Sequence, residues 1–563
     1  MKKIFILFII LISFEQIINL KCGADQLKLK PKGIDSSKFS NKRRLSSNYQ
    51  PMKIMADYSN LNTGNGISSD VVDKTKELID ETCKDFSKFL SVVPIASKSQ
   101  LTENEIKSYC EIDNIGNDFQ NYFLFNDLVV FPYFDSTLGS STLAAAAMCI
   151  YLSSNYRPIY GVVAINPNLS FNKKNTDLYM KNLFLHEFTH ILVFTPDLFS
   201  SLGMMTTRIF DGSFVSFVNS PKVLTVARQH FNCTSLNGVP LENQGSTGSV
   251  GAHWEARYML GDYMISSDYC DNVMSDITLA LFEDSGLYKV NYYSGGLFKF
   301  GKNMGCSFFN KKCIEGGSTD FKEEFCTNSN QYFCSRTKLT KGQCIITEAV
   351  DTIPKRYRYF SDDDLGGFPS ANYCPVSNVY KQENDYYPGS CAVGTSSLSA
   401  EYGEEIGKES FCFISSLIPS NSQLSNIERA ICYKVECDNE KMQIIVNIGN
   451  NKVQCPTEGG NIDNPTGFKG SIFCPKFYEI CGQEMEIEGD VCNSMFDCFD
   501  KKAETNINTI SFFPEEGYEF VKESKDYNLI FNFNLILLFI ILCIVVKYLI
   551  PKKSILSKPI CSK

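Results

Sequence analysis

Cysteine content limits this chain more than any other feature. There are 23 cysteines among 563 residues, a density that outside a reducing compartment implies a disulfide framework. Cys22 lies near the start, and Cys543 and Cys561 near the end. Setting those three aside leaves 20 between Cys83 and Cys498, an even number able to pair throughout. Spacing leaves the connectivity open. Beyond Cys306 the cysteines crowd and helical periodicity fades. Residues 316–500 therefore read as a loop- and β-rich domain stapled by disulfides.

Oxidising conditions require export, and both ends fit it. Lys2 and Lys3 precede an apolar run, Ile4 to Phe14, too short to span a bilayer. Residues 1–20 thus read as a signal peptide cleaved between Ile17 and Leu20, with an uncleaved anchor as the alternative. Residues 21–44 read as a short pro-segment whose processing site is Lys42-Arg43-Arg44; a plain solvated leader is the alternative. Leu529 to Val546 carries no charge. Residues 527–550 are long enough for a transmembrane helix. Residues 501–526 form a stalk before it. Lys547, Lys552, Lys553, Lys558 and Lys563 then mark residues 551–563 as a cytoplasmic tail, giving type I topology with the bulk of the chain outside. A basic tail argues against the rival, a cleaved lipid-anchor signal. Asn168 and Asn232 lie in glycosylation sequons.

Length calls for two or three domains. Hydrophobic residues at 44% and charged ones at 21% suit a folded chain, and a net charge of −9 excludes the basic face of a nucleic-acid binder. Residues 51–57, 128–134 and 161–165 have strand character, and residues 143–152 are small, apolar and therefore buried. Val71–Leu90, capped by Ser69 or Asp70, and Asp177–Phe194 have helical spacing, as does Ser275–Asp284. Residues 196–250 show few clear periods. The N-terminal part is expected to be α+β.

Within the second helix stands His186-Glu187-Phe188-Thr189-His190. Positions i and i+4 share a helix face, so both imidazoles reach one ion. Zinc accepts nitrogen donors in a tetrahedral shell and leaves one position for water. Glu187 follows the first ligand and is placed to take a proton from attacking water and return it to the leaving amine. A third ligand is needed, and His230, His253 and Glu255 are the candidates.

Around this motif the chain resembles leishmanolysin, the surface metalloprotease family of protozoa in the metzincin group. The blocks that carry the resemblance are RPIYGVVAINP (157–167), HEFTH (186–190), HWEARYMLGDYMIS (253–266), LALFEDSGLYKVNY (279–292), GKNMGCSFFNKKC (301–313) and CPKFYEICG (474–482). They cover most of residues 50–500. The resemblance implies a metzincin-like catalytic domain, a twisted sheet plus a zinc-site helix, over residues 45–195. It implies an inserted central region over 196–315 that supplies the third histidine. His253, 63 residues after His190, then completes a one-zinc site, and Met264 is the Met-turn methionine packed under it. Cys22 is implied as a latency switch. The implied activity is a zinc endopeptidase acting on extracellular or surface proteins and peptides. The alternative is a weakly active or inactive adhesin on the same scaffold. An edge strand at 161–165 would bind extended substrate by β-addition.

One departure stands out. The family's glycine three residues after the second histidine is here Val193. A β-branched residue takes positive φ only with strain, so either the turn is rebuilt or the helix runs on.

Overall fold

The computed structural model describes residues 27–481 apart from short internal stretches, the longest being 40–48. The segments read as signal peptide, stalk, transmembrane helix and tail, together with Cys22 and Lys42-Arg43-Arg44, lie outside the described residues. Among the described residues no helix is long and apolar enough to cross a membrane.

A five-stranded sheet organises the N-terminal part. Its strands are β1 (Lys32–Ile34), β2 (Ile54–Ala56), β3 (Leu128–Phe134), β4 (Ala144–Leu152) and β5 (Pro158–Ile165), in the spatial order β1-β4-β5-β3-β2. Only the β4–β5 pair is antiparallel. Both faces are covered, which explains why the strands read as continuous apolar runs. On one face Leu128, Val130, Ala146, Val163 and Ile165 meet two long helices, α1 (Ser69–Phe89) and a later helix containing the histidine pair. On the other, Val129, Phe131 and Val162 pack with Ile106 and Cys110 of α2 (Glu103–Cys110). The Cys110–Cys149 disulfide fastens α2 to β4.

Two expectations need correction here. Residues 161–165 do not form an edge: β5 is an interior strand, hydrogen-bonded to β3 and β4 on its two sides. The sheet edge on that side is β4, which β1 covers only along Ile150–Leu152. The second concerns the cysteine parity. Sixteen described cysteines form eight disulfides, but Cys83 is unpaired and buried on α1. Burial pushes its thiol pKa up, so it behaves as a small core residue.

Part of the 21–44 segment is built into the sheet. Ile34, the last residue of β1, is buried, as is Phe39 beyond it; Phe39 packs edge-on against Phe123, and Lys38 pairs with Glu105. The helix boundaries move slightly from expectation. Ser68, rather than Ser69 or Asp70, caps α1, accepting from the Val71 amide.

The helix α3 (Thr176–Leu192) carries the histidine pair and is buried on nearly every side. Phe188 stacks on Phe86 of α1, and Lys181 bridges to Asp85 at 3.0 Å. Gly161 of β5 permits the close approach of α3, because a Cβ there would lie 2.5 Å from Ile191 Cγ2.

The central stretch that lacked clear periods holds a short helix α4 (Pro196–Ser201) and a hairpin of β6 (Met205–Phe210) and β7 (Ser213–Val218). Helix α5 (Pro221–Phe231) and strand β8 (Val239–Pro240), which pairs with β7, follow. Then come α6 (Ala256–Met259) and α7 (Asp276–Asp284). One hydrophobic cluster runs from Met52 to Tyr387 and so joins the N-terminal sheet and its helices to the central stretch and to the first part of the cysteine-rich region. A second core belongs to a six-stranded antiparallel sheet between Ser410 and Cys474, closed by Cys437–Cys481 and Cys455–Cys474. The cysteine-rich part also holds the start of α3. Asn175, its N-cap residue, donates to Asp385 and to the Val393 carbonyl.

Candidate metal site

His186 and His190 sit one turn apart in α3 with their Nε2 atoms 3.0 Å apart. His253 arrives from a short extended segment. Trp254, the next residue, bridges Leu241 on one side and Ile265 on the other, so this segment is the middle of three. The His253 ring centroid lies 5.2 Å from that of His186 and 5.1 Å from that of His190. One ligand atom from each histidine falls within 4.8 Å of the others, and all three residues are buried.

The opposite ring nitrogens fix the tautomers. His186 Nδ1 donates to the Tyr263 carbonyl at 2.6 Å, and His190 Nδ1 to the Phe194 carbonyl at 2.8 Å. A carbonyl only accepts, so the proton sits on Nδ1 and the Nε2 lone pairs point at each other. Burial, helped by the neighbouring imidazoles, keeps both rings neutral. His186 is lowered to about 3 and His190 well below its usual value. Two nitrogens bound to one tetrahedral ion at ~2.0–2.1 Å would stand ~3.3 Å apart, close to the spacing observed. Three converging imidazoles, two of them held neutral with their Nε2 lone pairs facing inward, suit zinc in donor type, number and spacing.

Glu187 is fully buried beside His186 on the same helix. Met264 is fully buried too. It sits between Tyr263, whose carbonyl holds His186, and Ile265, which bridges Trp254. Its backbone N–H donates to Asp262, and its carbonyl accepts from the Trp254 N–H. Asp262 also accepts from Ser275 and from Thr278, and Thr278 accepts from the Trp254 indole N–H at 2.8 Å. Burial raises the Asp262 carboxyl to about 6 against these donors.

The other candidates for the third ligand stand elsewhere. His230 contacts the Phe300 carbonyl at 2.9 Å and stacks on Phe298. Glu255 is buried, but its carboxylate accepts from the Arg257 amide and caps α6. Burial first, and Glu242 next, raise its pKa well above the ordinary value.

At Val193 the turn is rebuilt. The helix ends at Leu192, and Val193 takes φ −154° and ψ −31°, outside the left-handed region. The replacement of glycine therefore causes no positive-φ strain, and the next residue supplies the carbonyl that holds His190. Asn168 and Asn232 are exposed, Asn232 in the left-handed conformation at the end of α5.

Sequence reading missed Tyr263, Asp262 and Glu242. Tyr263 grips α3 twice, since its hydroxyl also lies 2.5 Å from Thr189 Oγ1. One signal was available: Trp254, the only tryptophan in the chain, adjoins His253.

Comparison with known proteins shows the family. The family model described as "Peptidase_M8: Leishmanolysin" matches residues 74–489. The chain belongs to the leishmanolysin family. It is 29% identical over 364 residues to a leishmanolysin homolog of Crithidia fasciculata, covering 62% of this chain and 54% of that protein. It is 27% identical over 354 residues to leishmanolysin of Leishmania tropica, covering 60% and 52%. A leishmanolysin-like peptidase of Drosophila melanogaster is 28% identical over 314 residues, covering 49% and 46%. The chain thus spans about half the length of these leishmanolysin relatives.

Proposed function

We propose that this member of the leishmanolysin family is a zinc-dependent endopeptidase acting on extracellular or surface proteins. The observation that carries the reading is the convergence of His186, His190 and His253, from segments 63 residues apart, on one point beside the buried Glu187. Zinc held there supplies Lewis acidity and lowers the pKa of water. Glu187 takes the proton from the attacking water and delivers it to the leaving amine. Tyr263 and Phe194 hold two of the imidazoles in the tautomer that presents Nε2. Met264 packs beneath the ligands. The edge of β4 from Ala144 to Cys149 is the place for an extended substrate to add a strand.

The surrounding assignments follow the sequence. Residues 1–20 direct export, 21–44 form the pro-segment with Cys22 as its latency thiol, and 527–550 anchor a type I surface protein. Asn168 and Asn232 are exposed acceptors for glycans. The alternative, an adhesin on the same scaffold, rests on the large disulfide-rich region; the unstrained turn at Val193 adds nothing to it.

The test uses purified ectodomain, a casein-type substrate and a zinc chelator. Cleavage should stop with chelator and in Glu187→Ala, while Glu187→Ala still binds one zinc. Cleavage insensitive to both, or no cleavage even after pro-segment removal, would favour the adhesin.

A further inference from the structure

His253 differs from its two partners in what faces its far nitrogen. His186 and His190 each lean on a backbone carbonyl, whereas His253 Nδ1 lies 3.3 Å from Glu242 Oε2, with both side chains buried. The backbone sets this pair. The Glu242 N–H donates to the His253 carbonyl at 2.9 Å, and Leu241 and Trp254 bridge in antiparallel register beside them. Residues opposite each other on such a ladder put their side chains on one face. The other carboxylate oxygen, Oε1, accepts from Ser266 Oγ at 2.8 Å. Ser266 lies two residues past Met264. One carboxylate therefore joins the third imidazole to the segment that carries the Met-turn.

We propose that Glu242 is a positioning residue of the metal centre, orienting His253 and strengthening it as a donor. This rests on the zinc reading above. Imidazole nitrogens bring no negative charge to a divalent ion in a buried pocket, and a carboxylate one ring away offsets part of the ion's charge. A carboxylate behind a ligating imidazole also fixes the ring's rotation and raises its basicity. Ser266 keeps the carboxylate from turning toward the ion, so Glu242 acts through His253 and does not replace it.

The test measures zinc affinity by chelator competition, together with thermal unfolding of the metal-free protein, for wild type, Glu242→Gln, Glu242→Ala and Ser266→Ala. Glu242→Gln keeps the shape and an oxygen for Ser266 but loses the charge. It should bind zinc about 10- to 100-fold more weakly while the metal-free protein unfolds at the wild-type temperature. Ser266→Ala should weaken binding by about 2- to 10-fold, the worth of one hydrogen bond, and it carries the test if both Glu242 variants fail to fold. Zinc affinity equal to wild type in Glu242→Gln, or in Ser266→Ala where only that variant folds, would overturn the inference. So would a loss of affinity matched by early unfolding of the metal-free variant, because Glu242 would then serve only the pairing of its segment with that of His253. If wild type itself binds no zinc, the zinc reading fails instead.

Discussion

Gly161 lies directly beneath Ile191, the residue that follows the second histidine. A Cβ at position 161 would stand 2.5 Å from Ile191 Cγ2 and 2.9 Å from its Cδ1. The depth at which the histidine helix sits on the sheet is therefore set by the smallest side chain available. Gly161→Ala should cost about 1–3 kcal/mol, the usual range for overpacking, and should weaken zinc binding by displacing His190. Urea unfolding and chelator competition would show it, and Ile191→Val in the same chain should recover part of both losses. A variant as stable as wild type would mean that α3 shifts freely on the sheet.

Metal content should separate the histidines. His253→Ala should lose zinc, and His230→Ala should keep it, because His230 is occupied with Phe300 and Phe298. Elemental analysis of the two purified variants decides the matter. The reverse pattern would overturn the ligand assignment.

His230 should instead be visible in the pH dependence of stability. Burial holds it down at about 4, against an ordinary value of ~6.5. Above pH 6.5 it is neutral in both states and contributes nothing to the slope. Between 6.5 and 4 the unfolded chain binds a proton that the folded chain refuses, so stability falls as pH falls. At ~1.4 kcal/mol per pH unit, the loss reaches on the order of 3 kcal/mol near pH 4. His230→Gln should flatten that part of the curve. Urea melts of chelated wild type and variant at pH 7 and pH 4.5 would compare the slopes, and equal slopes would contradict the expectation.

The Cys233–Cys306 disulfide closes a loop that contains both His253 and Met264, with a sequence separation of 73. Replacing both cysteines by serine should cost about 2–5 kcal/mol, with the fall in thermal midpoint larger in the metal-free protein than in the zinc-loaded one. Identical shifts in the two forms would mean that the bridge and the metal site are energetically independent.

The legible parts of this molecule were those whose physics is local. The α3 period and its i, i+4 histidines came through because a helix places neighbours by a fixed rotation. Leu128–Phe134 was read to the residue because its ends are marked by polar neighbours and its interior is apolar. GVVAI was read as a strand but placed wrongly. An unbroken apolar run signals burial on both faces, which is an interior position and not an edge. The hairpin of β6 and β7 escaped notice because its faces are mixed; Ile209 and Phe214 stand opposite each other and are both exposed. The third imidazole and its support were the hardest to see. Glu242 meets His253 beside an isolated bridge between Leu241 and Trp254, and no sequence period encodes that meeting. Counting cysteines also misled at Cys83, since parity carries no information about which thiol the core has enclosed.

The seating of Ile34 and Phe39 would shape any maturation by cleavage of the 21–44 segment. If a protease cuts at Lys42-Arg43-Arg44, it severs the chain but leaves β1 bonded to Ile150–Leu152 and two apolar anchors in place. The product would be a nicked, two-piece molecule, with the small fragment retained until something prises it away. Scission and release would then be separate events.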